Sequence, residues 1–294
     1  MDIGLHELTS IYPNRVQTLY GAPCVIFRDH RWTLPVVFLA GKEGILNLPV
    51  RMVTFDRHPD SLSPIKGTVP LELFRREEQD LKELVGLVRD HLSPRDDDWI
   101  IAGIELGLLS DVIQLGSLSE NPEGDAAVTR YRDKSGLDHR IFHLRRPLQE
   151  LSYKGAFADP SNSAVKQGLW DILEWFPGTG LIQVSKKNLV TDIDLDFFTF
   201  SWERYIFPFS QEVYENEFYT HSQSSYGCSG LRPVDWMRGL IASSGLINMA
   251  CEPDFCGGNE KSEQVLADVN RFLFESQINT LDVSVDYHPE YPTE

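Results

Sequence analysis

Of the 294 residues only four are cysteine (Cys24, Cys228, Cys251 and Cys256), and no two are spaced as CxxC. That scarcity excludes a disulfide framework or a cysteine-built zinc ribbon. The four read as buried thiols, with a redox role for Cys251 and Cys256 as the alternative. Basic residues are also in short supply: 27 Lys and Arg stand against 44 Asp and Glu, for a formal net charge of −17. A field of that sign argues against nucleic acid and anionic membrane as partners and suits a cationic one. No uninterrupted apolar run is long enough to cross a bilayer. The opening MDIGLHELTSIYPNRVQ has no basic region followed by an apolar stretch and a small-residue cleavage site, so a cytoplasmic location is expected. The glycine-rich segment Ser225–Gly230 has neither a following lysine nor GxGxxG spacing, and GxSxG is absent, so neither a nucleotide site nor a serine nucleophile elbow is expected. Internal repeats and low-complexity linkers are missing as well, which leaves residues 1–294 as one domain.

What is present is a recurring event. Short β-rich runs end abruptly in polar residues: Cys24–Phe27 before Arg28-Asp29-His30, Val50–Phe55 before Asp56-Arg57-His58-Pro59-Asp60, Leu189–Thr191 before Asp192-Ile193-Asp194-Leu195-Asp196, and Leu246–Ala250 before Cys251-Glu252-Pro253-Asp254. Helical periodicity runs over Pro70–Leu92 and Ser262–Ser276. Strands alternating with helices predict an α/β fold with a mostly parallel central sheet buried on both faces. Its ligands belong beyond the carboxyl ends of the strands. Asp96–Asp98 and Gly116–Arg140 are polar and turn-rich and read as exposed loops. Thr280–Val285 reads as a last strand before a tail, Tyr287–Glu294.

Residues two apart share a face in extended backbone, so Asp56, His58 and Asp60 could converge on one side of a strand end as a divalent-metal half-site. The same period puts Asp192, Asp194 and Asp196 on one face, where three like charges require a cation among them. The alternatives are an exposed edge strand or a calcium loop. The flanking LVT and FFTF are too apolar for the first, and the second lacks its glycine and terminal glutamate. His30 is either a third contributor or an ordinary satisfied histidine. An inventory of imidazole and carboxylate without thiolate suits Mn²⁺ better than structural zinc. Glu252 is either a site carboxylate or an exposed loop residue. The aromatic run Trp202–Phe209 either walls a cleft or packs a core.

The order His30, Asp56-x-His58-x-Asp60, Asp194-x-Asp196 and a strand ending in Glu252 resembles the ureohydrolase superfamily of arginases and agmatinases. Over residues 24–276, FDRHPDSL, DIDLDFF and the C-terminal strand and helix look most like the peptide arginases, which convert arginine side chains of ribosomally made peptides to ornithine. The resemblance implies a three-layer αβα fold and two manganese ions per chain. One would be held by His30, Asp56, Asp60 and Asp194, the other by His58, Asp56, Asp194 and Asp196. A hydroxide shared by the two ions would attack the guanidinium carbon, oriented by Asp60, while Glu252 binds the guanidinium and Asp254 adds a second acidic contact. Asp196 favours this two-metal branch over the related deacetylases, which are similar but carry one zinc and a histidine at that place. Arginases of the free amino acid follow the DxHxD element with a loop gripping the α-amino and α-carboxylate groups and with a proton-shuttling histidine. Here Ser61–Phe74 reads SLSPIKGTVPLELF, with no histidine before His91. The expected substrate is therefore arginine within a peptide, and His143, His221 and His288 remain the shuttle candidates. The alternatives are a ureohydrolase of a small guanidino compound, a deacetylase-like amidohydrolase, or a non-catalytic binding relative.

Overall fold

The computed structural model describes residues 14–62, 80–93, 95, 97–116, 126–144, 185–202, 204–219 and 232–279. Strands β1 (Asn14–Leu19), β2 (Ala22–Phe27), β3 (Val50–Phe55), β4 (Leu109–Leu115), β5 (Ala126–Arg132), β6 (Asp138–Leu144), β7 (Leu189–Asp194) and β10 (Leu246–Ala250) form one eight-stranded sheet. The remaining two, β8 (Thr199–Trp202) and β9 (Tyr205–Pro208), form a separate antiparallel ribbon. The large sheet runs in the order β1-β2-β10-β7-β3-β4-β6-β5. Its six inner strands are parallel, and β1 and β5 lie antiparallel at the edges.

The inner strands β2 and β10 read as near-continuous apolar runs because both of their faces are covered. Along β2, Cys24 and Ile26 enter one core while Val25 and Phe27 enter the other. Helices α1 (Thr33–Lys42), α2 (Leu81–His91) and α3 (Trp99–Glu105) belong to the second core, and α4 (Pro233–Ser243) and α5 (Asn259–Phe272) to the first. The sheet is thus layered between two sets of helices, as expected. In α1 every residue from Thr33 to Ala40 is buried, which fits its nearly uniform apolar sequence. No helix among the described residues is long and apolar enough to cross a membrane.

Several sequence expectations need correction. Of the helix expected over Pro70–Leu92, the described part is α2 from Leu81, with Asp80 extended before it and its carboxylate accepting from the Lys82 backbone N–H as an N-cap; residues 70–79 lie outside the described residues. The helix expected over Ser262–Ser276 runs instead over Asn259–Phe272, starting after Gly258 at φ +113°. Gly116–Arg140 is not all loop, since β5 and the first residues of β6 lie within it. Charged side chains on an edge hairpin gave these strands their loop-like composition. The turn joining them is held by Asp133, whose carboxylate accepts from the Leu137 N–H and the Ser135 hydroxyl, and by Gly136 at φ +86°. Asp98, expected in an exposed loop, is buried and accepts from the Ser93 N–H at 3.1 Å; burial raises its pKa. Thr280–Val285 and Tyr287–Glu294 lie outside the described residues.

Candidate metal centre

The four strand ends singled out in the sequence belong to β2, β10, β7 and β3, which are consecutive neighbours in the sheet. Register aligns Phe27 and Asp194 with Ala250, and Phe55 with Ile193. Whatever follows those residues is therefore delivered to one place.

From β2 the chain enters a single 3₁₀ turn, His30–Trp32, which buries His30 completely. Its Nδ1 stands 3.0 Å from Asp60 Oδ2, 3.3 Å from Asp194 Oδ2 and 3.6 Å from Asp56 Oδ2. The other ring nitrogen, Nε2, is 2.5 Å from Asp192 Oδ2, and the ring lies 4.6 Å from that of Trp99. After β3 the Asp56 N–H still bonds Leu115 O, at 2.9 Å. The chain then turns: Asp56 Oδ1 accepts from the His58 N–H at 2.7 Å, and Asp60 sits at φ +25°. That unusual backbone is held from α3, where the Trp99 indole donates to Asp60 Oδ2 at 2.6 Å and the Ile100 N–H to Asp60 O at 3.2 Å. From β7, Asp194 Oδ1 caps a 3₁₀ turn by accepting from the Asp196 N–H at 2.9 Å. Asp196 Oδ2 lies 2.7 Å from His58 Nδ1. At the end of β10, Glu252 is left-handed (φ 41°, ψ 57°) and accepts a hydrogen bond from the His30 N–H, tying β10 to β2.

Three sets of donor atoms lie close enough to share an ion: His30, Asp56 and Asp60; His30, Asp194 and Glu252; and Asp56, His58 and Asp196. Electrostatics without a cation are strained. Burial first, then Asp60 and Asp194, push the Asp56 carboxyl well above its ordinary range. Burial and Asp196 push Asp194 up to about 7, with His30 opposing. Burial disfavours the His58 imidazolium, but Asp196 outweighs it and the pKa rises to about 9. His30 is likewise raised against its burial, mainly by Asp192. Asp56 Oδ2 is buried and accepts no hydrogen bond among the described residues. Clustered carboxylates that repel each other, one with an unused buried oxygen, fit a divalent cation. These His and Asp groups could hold metal ions.

The six expected ligands are thus brought together, though not by the geometry expected. Asp56, His58 and Asp60 are not on one face of a strand; they follow β3 in a folded loop, with Asp56 and Asp60 buried and His58 half-buried. Nor do Asp192, Asp194 and Asp196 form one row. The strand ends at Asp194, Asp196 arrives through the 3₁₀ turn, and Asp192 lies one layer below, accepting from Thr33 Oγ1 at 2.9 Å and Thr54 Oγ1 at 2.8 Å. Glu252 is buried at the cluster, whereas Asp254 is 85% exposed and 4.0 Å from Arg28. His143 is buried on β6, where burial lowers its pKa to about 4; β4 separates its strand from β3. His221 and His288 lie outside the described residues. Cys251 and Cys256 are buried free thiols, Cys256 donating to Cys251 O, and burial raises the Cys256 pKa. Cys228 lies outside the described residues.

Two groups escaped the sequence reading. Trp99 carried no signal, because nothing in WIIAGIE marks an indole aimed at a carboxylate 39 residues earlier. Phe255, whose ring is 4.8 Å from that of His58, was equally silent. Comparison of the chain with protein-family models and with curated proteins gives no match.

Proposed function

We propose that the chain is a manganese-dependent peptide arginase, hydrolysing the guanidino group of arginine residues in a peptide to ornithine and urea. The observation that carries this reading is the convergence of His30, Asp56, His58, Asp60, Asp194 and Asp196 on one buried point at four adjacent strand ends, with Glu252 beside them. On this reading two ions would be held, one by His30, Asp56, Asp60 and Asp194 and the other by His58, Asp56, Asp194 and Asp196. Imidazole and carboxylate without thiolate favour manganese, and the neighbouring Cys256 is kept protonated by burial.

A guanidinium is a delocalised cation and a poor electrophile. Bound divalent ions supply what its hydrolysis needs, water acidified enough to be nucleophilic near neutral pH. The chain's own residues do the rest. Asp60, fixed by the Trp99 indole, orients the attacking oxygen through its carboxylate. Glu252, fixed against the His30 backbone, offers negative charge to the guanidinium. Attack at the guanidinium carbon is followed by collapse to the ornithine amine and urea. Asp254, exposed at the edge of the same turn, offers a further acidic contact to a basic peptide.

The test is urea release and peptide mass after incubation with manganese-loaded protein, with free arginine alongside. A loss of about 42 Da per arginine, the CN₂H₂ unit removed by hydrolysis, with urea appearing only from the peptide, is the expected result. Urea from free arginine or agmatine alone would move the protein to small guanidino substrates. Release of acetate from an acetyl-lysine peptide would move it to the deacetylases, and silence from all of them to a binding role.

A further inference from the structure

Strand β4 carries none of the six candidate ligands, yet its end bears on the loop that carries three of them. Leu115 O accepts from the Asp56 N–H at 2.9 Å. Gly116, at φ +90°, comes so near that a Cβ there would lie 3.1 Å from Asp56 O and 2.5 Å from the Phe197 ring. Gln114 Nε2 donates to His58 O at 3.4 Å. Three consecutive residues thus lie beneath Asp56 and His58, and of the three only Gln114 makes its contact through a side chain.

Gln114 also belongs to a polar row that crosses the sheet. Register pairs Asn248 with Asp192, Asp192 with Thr54, Thr54 with Gln114, and Gln114 with His143. These residues share one face, that of the second core, because Leu246, Val190, Met52, Val112 and Ile141, two residues earlier on each strand, all lie in it. All five are buried, in a layer where apolar side chains would pack with no polar group to desolvate. The row reaches both histidines of the centre: Asp192 meets the His30 ring at Nε2, and Gln114 meets His58 at its backbone. Gln114 Oε1 is buried and has no hydrogen-bond partner among the described residues, and an orphaned buried acceptor lowers stability. A side chain that costs stability where an apolar one would not, and whose hydrogen bond reaches a candidate ligand, points to function rather than packing.

We propose that Gln114 is a positioning residue for the second ion: by holding His58 O it fixes the folded loop, and with it the direction of the His58 ring toward Asp196. His58 has the greatest need of such support. Its side chain is 41% exposed, whereas the other five ligands are buried. The inference rests on the two-ion part of the reading above and not on the identity of the substrate.

The experiment titrates manganese into chelator-treated wild type and Gln114→Met, followed by calorimetry and electron paramagnetic resonance, and records the melting temperature of the same metal-free samples. The wild type should take up two ions and show the spectrum of an exchange-coupled pair. The variant should bind the first ion equally well and the second about tenfold more weakly, the low end of what loss of an outer contact costs a metal site. It should show more of the isolated-ion spectrum at manganese concentrations that fill the wild type. Its metal-free melting temperature should equal or exceed that of the wild type, because the orphaned oxygen is gone. In a His58→Ala background, Gln114→Met should weaken manganese no further, since the contact acts through that residue. Asn248→Leu removes from the same row an amide with neither end partnered among the described residues, and should leave the second ion's affinity at the wild-type level. Unchanged affinity in Gln114→Met, equal weakening by Asn248→Leu, or an additive loss in the His58→Ala background would overturn the proposal. So would a metal-free Gln114→Met that melts lower or does not fold, which would make Gln114 a packing residue. A wild type that binds a single ion fails the two-ion reading and this proposal together, whereas two ions without urea release removes the hydrolase reading and leaves the role of Gln114 standing.

Discussion

Asp192 is a carboxylate with three donors converging on it: the His30 Nε2 edge, Thr33 Oγ1 and Thr54 Oγ1. Holding Nε2 in this way turns the opposite nitrogen, Nδ1, toward Asp56, Asp60 and Asp194. Partners of this kind fix the tautomer and ring orientation of a ligating histidine, and their loss weakens metal affinity by about 10–100-fold. Asp192→Asn should therefore lower manganese affinity in a calorimetric titration by that factor while the fold is retained. Unchanged affinity would remove His30 Nδ1 from the ligand set. Glu252 makes a different prediction. Glu252→Gln keeps the oxygen that the His30 N–H needs but loses the charge offered to a cation. Metal content measured by emission spectroscopy should stay near the wild-type level while turnover of an arginine peptide falls by about 10²-fold or more, the scale of losing one transition-state electrostatic contact. Loss of metal together with turnover would make Glu252 a ligand instead. Asp194, facing His30 and capping the turn to Asp196, should tolerate no such separation: Asp194→Ala should lose both metal and urea release.

At the scale of elements, the loop after β3 depends on a helix that comes much later in the chain. Trp99 at the start of α3 is completely buried, and its indole satisfies Asp60, whose positive φ no strand would allow. Trp99→Phe keeps most of the ring and removes the donor. It should cost about 1–3 kcal/mol in urea unfolding of the chelator-treated protein, because a buried carboxylate loses its partner, and manganese loading should fall with it. Equal stability would mean that the indole bond contributes nothing to holding the loop. Strands β3 and β10 were legible to the residue, since VRMVTF and LINMA are β-rich runs cut off by polar residues. The hairpin of β5 and β6 was not. It closes one side of the sheet, with β5 at the edge and β6 next to it, and carries Arg130, Arg132 and Arg140, so its composition matches that of a loop and only pairing in the sheet reveals it. The aromatic run Trp202–Phe209, open to either a cleft wall or core packing, divides: Phe209 packs against the first core, while Trp202, Tyr205 and Phe207 of the β8–β9 ribbon are exposed.

At the scale of the whole molecule, a buried acidic centre sets the response to pH. Asp194 is raised to about 7 by burial and Asp196, and His58 to about 9 by Asp196 against its burial. In both cases the metal-free folded state binds protons more tightly than the unfolded chain, so stability is lost as pH rises. The Asp194 contribution is complete below its ordinary value of 3.8 and disappears through about 7; that of His58 is complete below 6.5 and disappears through about 9. The melting temperature of chelator-treated protein should accordingly fall from about pH 6 to about pH 9. Manganese displaces those protons, so the gain in melting temperature on adding it should grow over the same interval. A gain independent of pH would contradict ligation by His58 and Asp194. The sequence by itself determined the α/β class, the four strand ends and the residue types collected there. Those follow from hydrophobic periodicity and from the cost of placing charge beside apolar strands, both of which are local. Only the tertiary structure decided that these four strands are neighbours, that Asp192 drops beneath the cluster while Asp196 turns into it, and that Trp99 completes it. Strand order, the end of an extended run and a contact across 39 residues are set by packing against the rest of the molecule, which no short stretch of sequence carries.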